Sequence, residues 1–375
     1  MLRWLAVTLL LVLPALALGA LGVAVVATGT AHTGAAGFGA PHHFVVRQLA
    51  SLAVAALLGF AAVRAGLERS LRAAPIVLVL ALAATAAVFL PGVGVRAAGA
   101  SRWLRLGPIS GNPAPLLTGA VALLLAAASP RREVHRTGDR QVLATWIVAV
   151  IAGLVAVAVL VAEPDFSAAG ITLAVGLAAV AGGGLGARRL IPVAALLGIV
   201  LLVGASRFGY VGGRIHGFLA PHSDRRGKGF EVLALAHARA NESSHGVGLG
   251  HGTTRHHLSS PASDYVFAVI SEELGRRGAL AVLGAWAAIG CGVVVSARAA
   301  RGNPAGRALA LGSGVALLAP AALHVAVSRG WIPIIGVSMP LLSYDPGLTV
   351  ASGGEIGLLA GIALDGRSRW GASAA

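Results

Sequence analysis

Asp264 opens the stretch of this sequence whose residue types and spacing best suit proton-transfer chemistry. The stretch is SDYVFAVISEELG, Ser263 to Gly275. A helical reading places Asp264, Ala268, Ser271, Glu272 and Gly275 on one stripe. Asp264 and Glu272 then stand about 12 Å apart on one face, at 1.5 Å per residue. The stripe leads into an apolar run, and carboxylates at a membrane boundary are costly unless they face a cavity or a partner. Structural roles compete with the chemical one. Asp264 suits a helix N-cap, and Glu272 and Glu273 suit pairing with Arg276 or Arg277. Asp165, in EPDF, reads as the cap of the helix that follows it. His245, His251, His256 and His257 fall within thirteen residues, and imidazole is a common zinc ligand. No carboxylate or Cys lies between them, so the expectation is a solvated loop and no resident metal.

The elements that must position these residues are membrane helices. Of 375 residues, 57% are hydrophobic and 11% charged, against roughly a quarter charged in a soluble domain. Mean hydropathy is +0.83. Apolar runs of the length that crosses a bilayer, about 20 residues, follow one another along the chain. The net charge of +15 is spread in short Arg clusters between these runs. That is the pattern of topogenic charge beside anionic lipid, and nucleic acid is set aside as a partner. The single cysteine, Cys291, excludes an internal disulfide and is expected to be a small packing residue.

The fold expected is an all-α polytopic membrane protein of about ten spans. They are placed near 4–28, 43–63, 74–91, 113–128, 142–162, 167–186, 189–206, 278–297, 306–328 and 346–364. Backbone groups in hydrocarbon must bond within the segment, which makes each a helix. The first run exceeds a 7–15-residue signal-peptide core and is read as a retained span. With the N-terminus inside, Arg64, Arg69, Arg72, Arg131, Arg132, Arg188, Arg189, Arg298, Arg301 and Arg307 fall on the cytoplasmic side. Both termini are then cytoplasmic. Residues 207–264 form one large extracytoplasmic loop, too long to be a bare connection. The span interiors read as nearly uncharged.

The order of motifs resembles the SEDS family, the RodA/FtsW/SpoVE-type proteins that polymerise cell-wall glycan. GASRWLRLGPISGNPAPLL, Gly99 to Leu117, resembles that family's outer loop after the third span. EPDFSAAG, Glu163 to Gly170, is similar to its Q-P-D-x-G-T motif. Arg214–Val232 and His245–Thr253 resemble the large loop, and SDYVFAVISEELG resembles its end. WIPIIGVSMPLLSY, Trp331 to Tyr344, is similar to the G-x-x-L-P-F-x-S-Y-G-G-S-S signature. The chain departs from the pattern in places. Ser259–Ser263 lacks the usual Glu of P-E-A-x-T, and Asn112–Thr118 lacks the Glu and Lys of Q-P-S-E-x-x-K. His324 stands for an Asn, and Asp345–Leu348 for G-G-S-S.

The resemblance implies an inverting glycosyltransferase that polymerises lipid II, an undecaprenyl-diphosphate disaccharide-pentapeptide, in the bacterial inner membrane. A sugar 4-hydroxyl attacks the anomeric carbon of the growing chain, and undecaprenyl diphosphate leaves. Such chemistry needs a base and cations where charge develops. By resemblance Asp264 is the base, and Arg214 and Arg102 are candidates for the diphosphate, since guanidinium binds phosphate bidentately. Interfacial anchoring is the competing role for both arginines. Trp103, Glu272, Ser343 and Tyr344 complete the implied substrate-binding set. A divalent cation (Mg or Mn) with the diphosphate and a class B penicillin-binding transpeptidase partner are implied by resemblance alone. Two other classes stay open: a scaffold of the division or elongation complex that has lost polymerase activity, and a lipid-linked precursor transporter.

Overall fold

In the computed structural model of the chain, described residues are 2–38, 40–97, 100–106, 109–129, 139–184, 187–207, 209–224 and 227–365. The apolar runs form helices, because only a helix satisfies its own backbone in hydrocarbon. The first run is continuous from α1 (Leu2–Val7) through one π turn (Thr8–Val12) into α2 (Leu13–Phe38). The runs expected at 43–63 and 74–91 join as one long helix, α3 (His43–Ala86). It turns at Gly66, whose φ of 67° is open to a residue without a side chain. At 47 residues, His43–Phe89 is more than twice the length one crossing needs.

A short sheet follows, which the all-α expectation did not include. Strands β1 (Gly94–Ala97), β2 (Ala100–Leu106) and β3 (Ile109–Gly111) pair antiparallel in the order β1-β2-β3. Trp103 stands opposite Val95, and Arg105 opposite Ser110. The remaining helices are α4 (Ala114–Ala127), α5 (Asp139–Ala162), α6 (Phe166–Gly182) and α7 (Ala187–Ser206). Then come α8 (Gly209–Leu219), α9 (Lys228–Ala240), α10 (Val266–Glu273), α11 (Gly275–Ala299), α12 (Pro304–Ser328) and α13 (Pro346–Asp365). Six stretches among the described residues are long and apolar enough to cross a membrane, and α4, α6 and part of α7 are shorter apolar helices. With α3 counted on both sides of its kink, that is the expected set of about ten.

Packing sorts these helices into an inner and an outer group. α12 touches α4, α6, α11 and α13, and Leu309, Leu317 and Ala321 on it are buried. α3 and α13 lie closest of all. A side-chain atom at Gly59, Gly353 or Gly357 would strike the backbone of the other helix, so small residues set the approach. Leu57, Phe60, Ile76, Val148, Ile151 and Leu280 stay exposed, as residues facing lipid must. Cys291 is exposed on α11 too, which corrects its expected packing role. The loop expected at 207–264 is structured: it contains α8, α9 and a 3₁₀ turn at Thr254–His257.

Candidate functional site

Asp264 does not start a helix. α10 begins two residues later, its N-cap is Tyr265 with no side-chain capping bond, and Asp264 lies in the preceding turn with its N–H on the Ser260 carbonyl at 3.0 Å. Both the N-cap role and the single helical stripe are therefore corrected. The turn is held from two sides. From the 331–345 segment, the Tyr344 N–H donates to the Ala262 carbonyl at 2.8 Å, and the Ser343 hydroxyl donates to the Ser263 carbonyl at 2.6 Å. From α9, Glu231 accepts the Tyr265 hydroxyl at 2.9 Å, Lys228 Nζ at 2.6 Å, and the Ser259 hydroxyl. Ser343 and Tyr344 act here on the backbone that carries Asp264. Neither lines the cavity described next.

Asp264 faces a cavity of about 540 Å³. Its rim comes from the sheet (Arg102, Trp103, Arg105), from Arg214 on α8, and from Asp165, Gly336 and Asp345. Deeper walls come from α4, α6, α12 and α13. Arg214 Nη1 donates to the Ile335 carbonyl at 3.0 Å, which lays the guanidinium over Gly336. A side chain at Gly336 would meet Arg214 Nη2 at 3.6 Å and Asp264 Oδ2 at 3.7 Å, and its φ of 63° favours glycine as well. The bare Gly336 surface thus separates a carboxylate from a guanidinium. Arg102 donates to the Pro164 carbonyl and has Nε 3.9 Å from Asp165 Oδ2. Asp165 also caps α6 through the Ala168 N–H at 3.1 Å, as expected. Asp345 caps α13 through the Leu348 N–H at 3.0 Å.

The electrostatics follow from burial. Burial and the neighbouring Asp345 push the Asp264 carboxyl up to about 6, against the pull of Arg214 and Lys228. Burial pushes Glu231 the same way, but the bonds from Lys228, Ser259 and Tyr265 outweigh it and hold that carboxylate below its ordinary range. One carboxylate is poised to exchange a proton. The other is locked.

Glu272 is elsewhere. It accepts the Thr253 N–H and hydroxyl, both at 3.0 Å, and the Thr254 N–H. Glu273 pairs with buried Arg255 and accepts the Gly250 N–H at 2.9 Å. The expected partners, Arg276 and Arg277, are not theirs: Arg276 donates to the Ser244 hydroxyl at 3.1 Å. Both acids therefore pin the 247–255 loop, and Glu272 stands outside the cavity. Among the described residues no three His, Cys, Asp or Glu side chains converge as metal ligands.

Two residues of the site, Glu231 and Glu355, escaped the sequence reading, and a third, His324, appeared there only as a departure from a family Asn. His324 donates from Nδ1 to the Val337 carbonyl at 2.7 Å and accepts the Phe267 N–H on Nε2 at 3.3 Å, tying α12 to both sides of the Asp264 turn. Glu355 lines the cavity from within α13, which corrects the reading of the spans as nearly uncharged. Its signal was present: Asp345, Leu348, Ser352 and Glu355 follow a helical period.

A second, mostly apolar groove of about 620 Å³ runs between α6, α8 and α12. Phe166, Ala174, Ile215, Leu323 and Ile334 line it, and it shares Ser167, Ile171 and Arg214 with the first cavity.

The chain matches the family model for FtsW/RodA/SpoVE, described as cell cycle protein, over residues 8–367. It is 32% identical over 336 residues to a probable peptidoglycan glycosyltransferase FtsW of Halorhodospira halophila, covering 86% of this chain and 81% of that one. It is 31% identical over 332 residues to the protein of the same description from Alkalilimnicola ehrlichii, covering 86% and 80%. Among solved structures it resembles a chain of a peptidoglycan synthase complex at a TM-score of 0.71 and 24% identity, covering 95% and 97%. It resembles the rod shape determining protein RodA of Thermus thermophilus at 0.65 and 23%, covering 95% and 96%. These two likenesses carry the fold.

Proposed function

We propose how this chain, which belongs to the FtsW/RodA/SpoVE family of cell cycle proteins, carries out peptidoglycan glycosyltransfer in the membrane: Asp264 is the base that activates a sugar hydroxyl of lipid II. The carrying observation is the Asp264 carboxyl poised near 6 on a cavity wall, across bare Gly336 from Arg214. A general base works best when its proton affinity lies near the operating pH.

The reaction is the one the family resemblance implies, assigned to these residues. The attacking 4-hydroxyl gives its proton to Asp264 as its oxygen bonds the anomeric carbon of the growing chain. The bond to the diphosphate oxygen breaks on the opposite face, and configuration inverts. Negative charge gathers on the departing diphosphate, where Arg214 and Arg102 at the rim offset it. Trp103 gives an aromatic wall for a sugar ring. The apolar groove that meets the cavity at Arg214 fits the polyprenyl chain, so headgroup and lipid part company at that guanidinium. A divalent cation enters this scheme as company for the diphosphate, and no step depends on it.

The arginine bias of the short loops supports an outward-facing 207–264 loop and cytoplasmic termini. A class B transpeptidase is the proposed partner, to cross-link the strands made here.

The test is polymerisation of lipid II by purified protein. Wild type is expected to yield glycan strands, and Asp264→Ala to yield none while remaining folded. Inactivity in both proteins supports the scaffold reading instead. Equal activity in both places the base elsewhere.

A further inference from the structure

Glu355 has no role in the chemistry above, yet it is 95% buried, being 5% exposed. It sits nine residues into α13, about 14 Å along the axis at 1.5 Å per residue. α4, α6 and α13 each start beside a lining residue (Asn112, Asp165 and Asp345) and run on from it, so Glu355, far along α13, marks the floor. Its carboxyl lies against Gly119 of α4, where any side chain would collide with Oε1. Oε2 is buried and makes no hydrogen bond of good geometry, the Ser313 hydroxyl being the side-chain donor that interacts with this carboxyl. A carboxyl with so little hydrogen bonding away from water is costly, and here it lines an open volume that a ligand group could fill.

The neighbouring hydroxyls decide what kind of group. Ser352 donates its proton to the Leu348 carbonyl at 2.6 Å. The Thr118 hydroxyl is bonded to the Ala114 carbonyl at 3.0 Å and to the Thr172 hydroxyl at 2.7 Å. A hydroxyl has one proton and two lone pairs, so once the proton is spent on the helix, lone pairs remain for the cavity. The floor is therefore rich in acceptors, whereas the rim carries Arg102, Arg105 and Arg214. Such a gradient repels an anion from the floor and draws it to the rim.

We propose that Glu355, with Thr118 and Ser352, forms a sugar subsite at the cavity floor that binds hydrogen-bond donors of the substrate headgroup, the hydroxyls and amide N–H of an amino sugar. This rests on the glycosyltransferase reading and adds an orientation to it: diphosphate at the rim, sugar inward. A site built to bond such donors discriminates strongly against ligands that lack them.

Binding to the full-length protein tests the subsite without turnover. In the Asp264→Ala background, lipid II and undecaprenyl diphosphate are titrated against proteins with and without Glu355→Ala. The added substitution is expected to weaken lipid II at least tenfold and leave undecaprenyl diphosphate within threefold, with Glu355→Gln restoring most of the lipid II affinity. Unchanged lipid II binding overturns the subsite, and so does equal weakening of both ligands, which marks a general distortion of the bundle. Polymerisation by the wild-type protein is scored separately, so loss of the catalytic reading and loss of the subsite are told apart.

Discussion

Asp264 and Glu273 lie nine residues apart in one unbroken stretch, and their surroundings are opposite. Glu273 is wholly buried, paired with Arg255 and bonded to the Gly250 N–H. Asp264 keeps its carboxyl on a cavity wall, with the bonds around it made by its neighbours' backbone and by Tyr265. A carboxylate surrounded by donors is spent on structure. One whose frame is rigid while its own oxygens face open space is available for chemistry.

Substitution at the two sites should separate these roles. The largest effect is expected for Asp264→Ala, a fall in polymerisation of about 10²–10⁴-fold, the usual contribution of a general base. Loss of less than threefold ends the distinction from the reactive side. Next is Glu273→Ala, which strands the Arg255 guanidinium and should cost about 3–5 kcal/mol of stability, read as a large drop in thermal midpoint. An unchanged midpoint means the pair is not holding the loop.

The pH dependence sharpens the contrast. Activity is expected to rise through pH 6 as Asp264 ionises, and a profile flat from pH 5 to 7 contradicts its role. The sign for stability is opposite. The folded value, about 6, lies above the ordinary 3.8, so stability falls as pH rises through that interval. Asp264→Asn should then raise stability at pH 7.5 by about 3 kcal/mol, read as a higher thermal midpoint, with no gain below pH 4. The smallest effect is expected for Tyr265→Phe, about 2 kcal/mol for one lost hydrogen bond to a charged group, with a modest loss of rate because the turn loosens. A rate loss as large as that of Asp264→Ala makes Tyr265 part of the chemistry.

The sequence by itself determined the membrane architecture, because hydrocarbon leaves the backbone no option but helix and run length then counts the spans. It also determined the Asp165 cap, a contact three residues long, and the motif order that resembles a known family. It marked Asp264, but assigned it to a helical stripe with Glu272 that does not exist. Periodicity reports only what neighbours along a helix share, and α10 starts at Val266. Only the tertiary structure decided that Glu272 and Glu273 turn inward to the 247–255 loop, that Gly336 lets Arg214 approach Asp264, and that Glu355 meets the same cavity from mid-span. Those facts depend on contacts between residues that lie from 18 to more than 200 positions apart. Whether a carboxylate is locked or free is a property of the groups packed against it, and chain spacing carries no record of them.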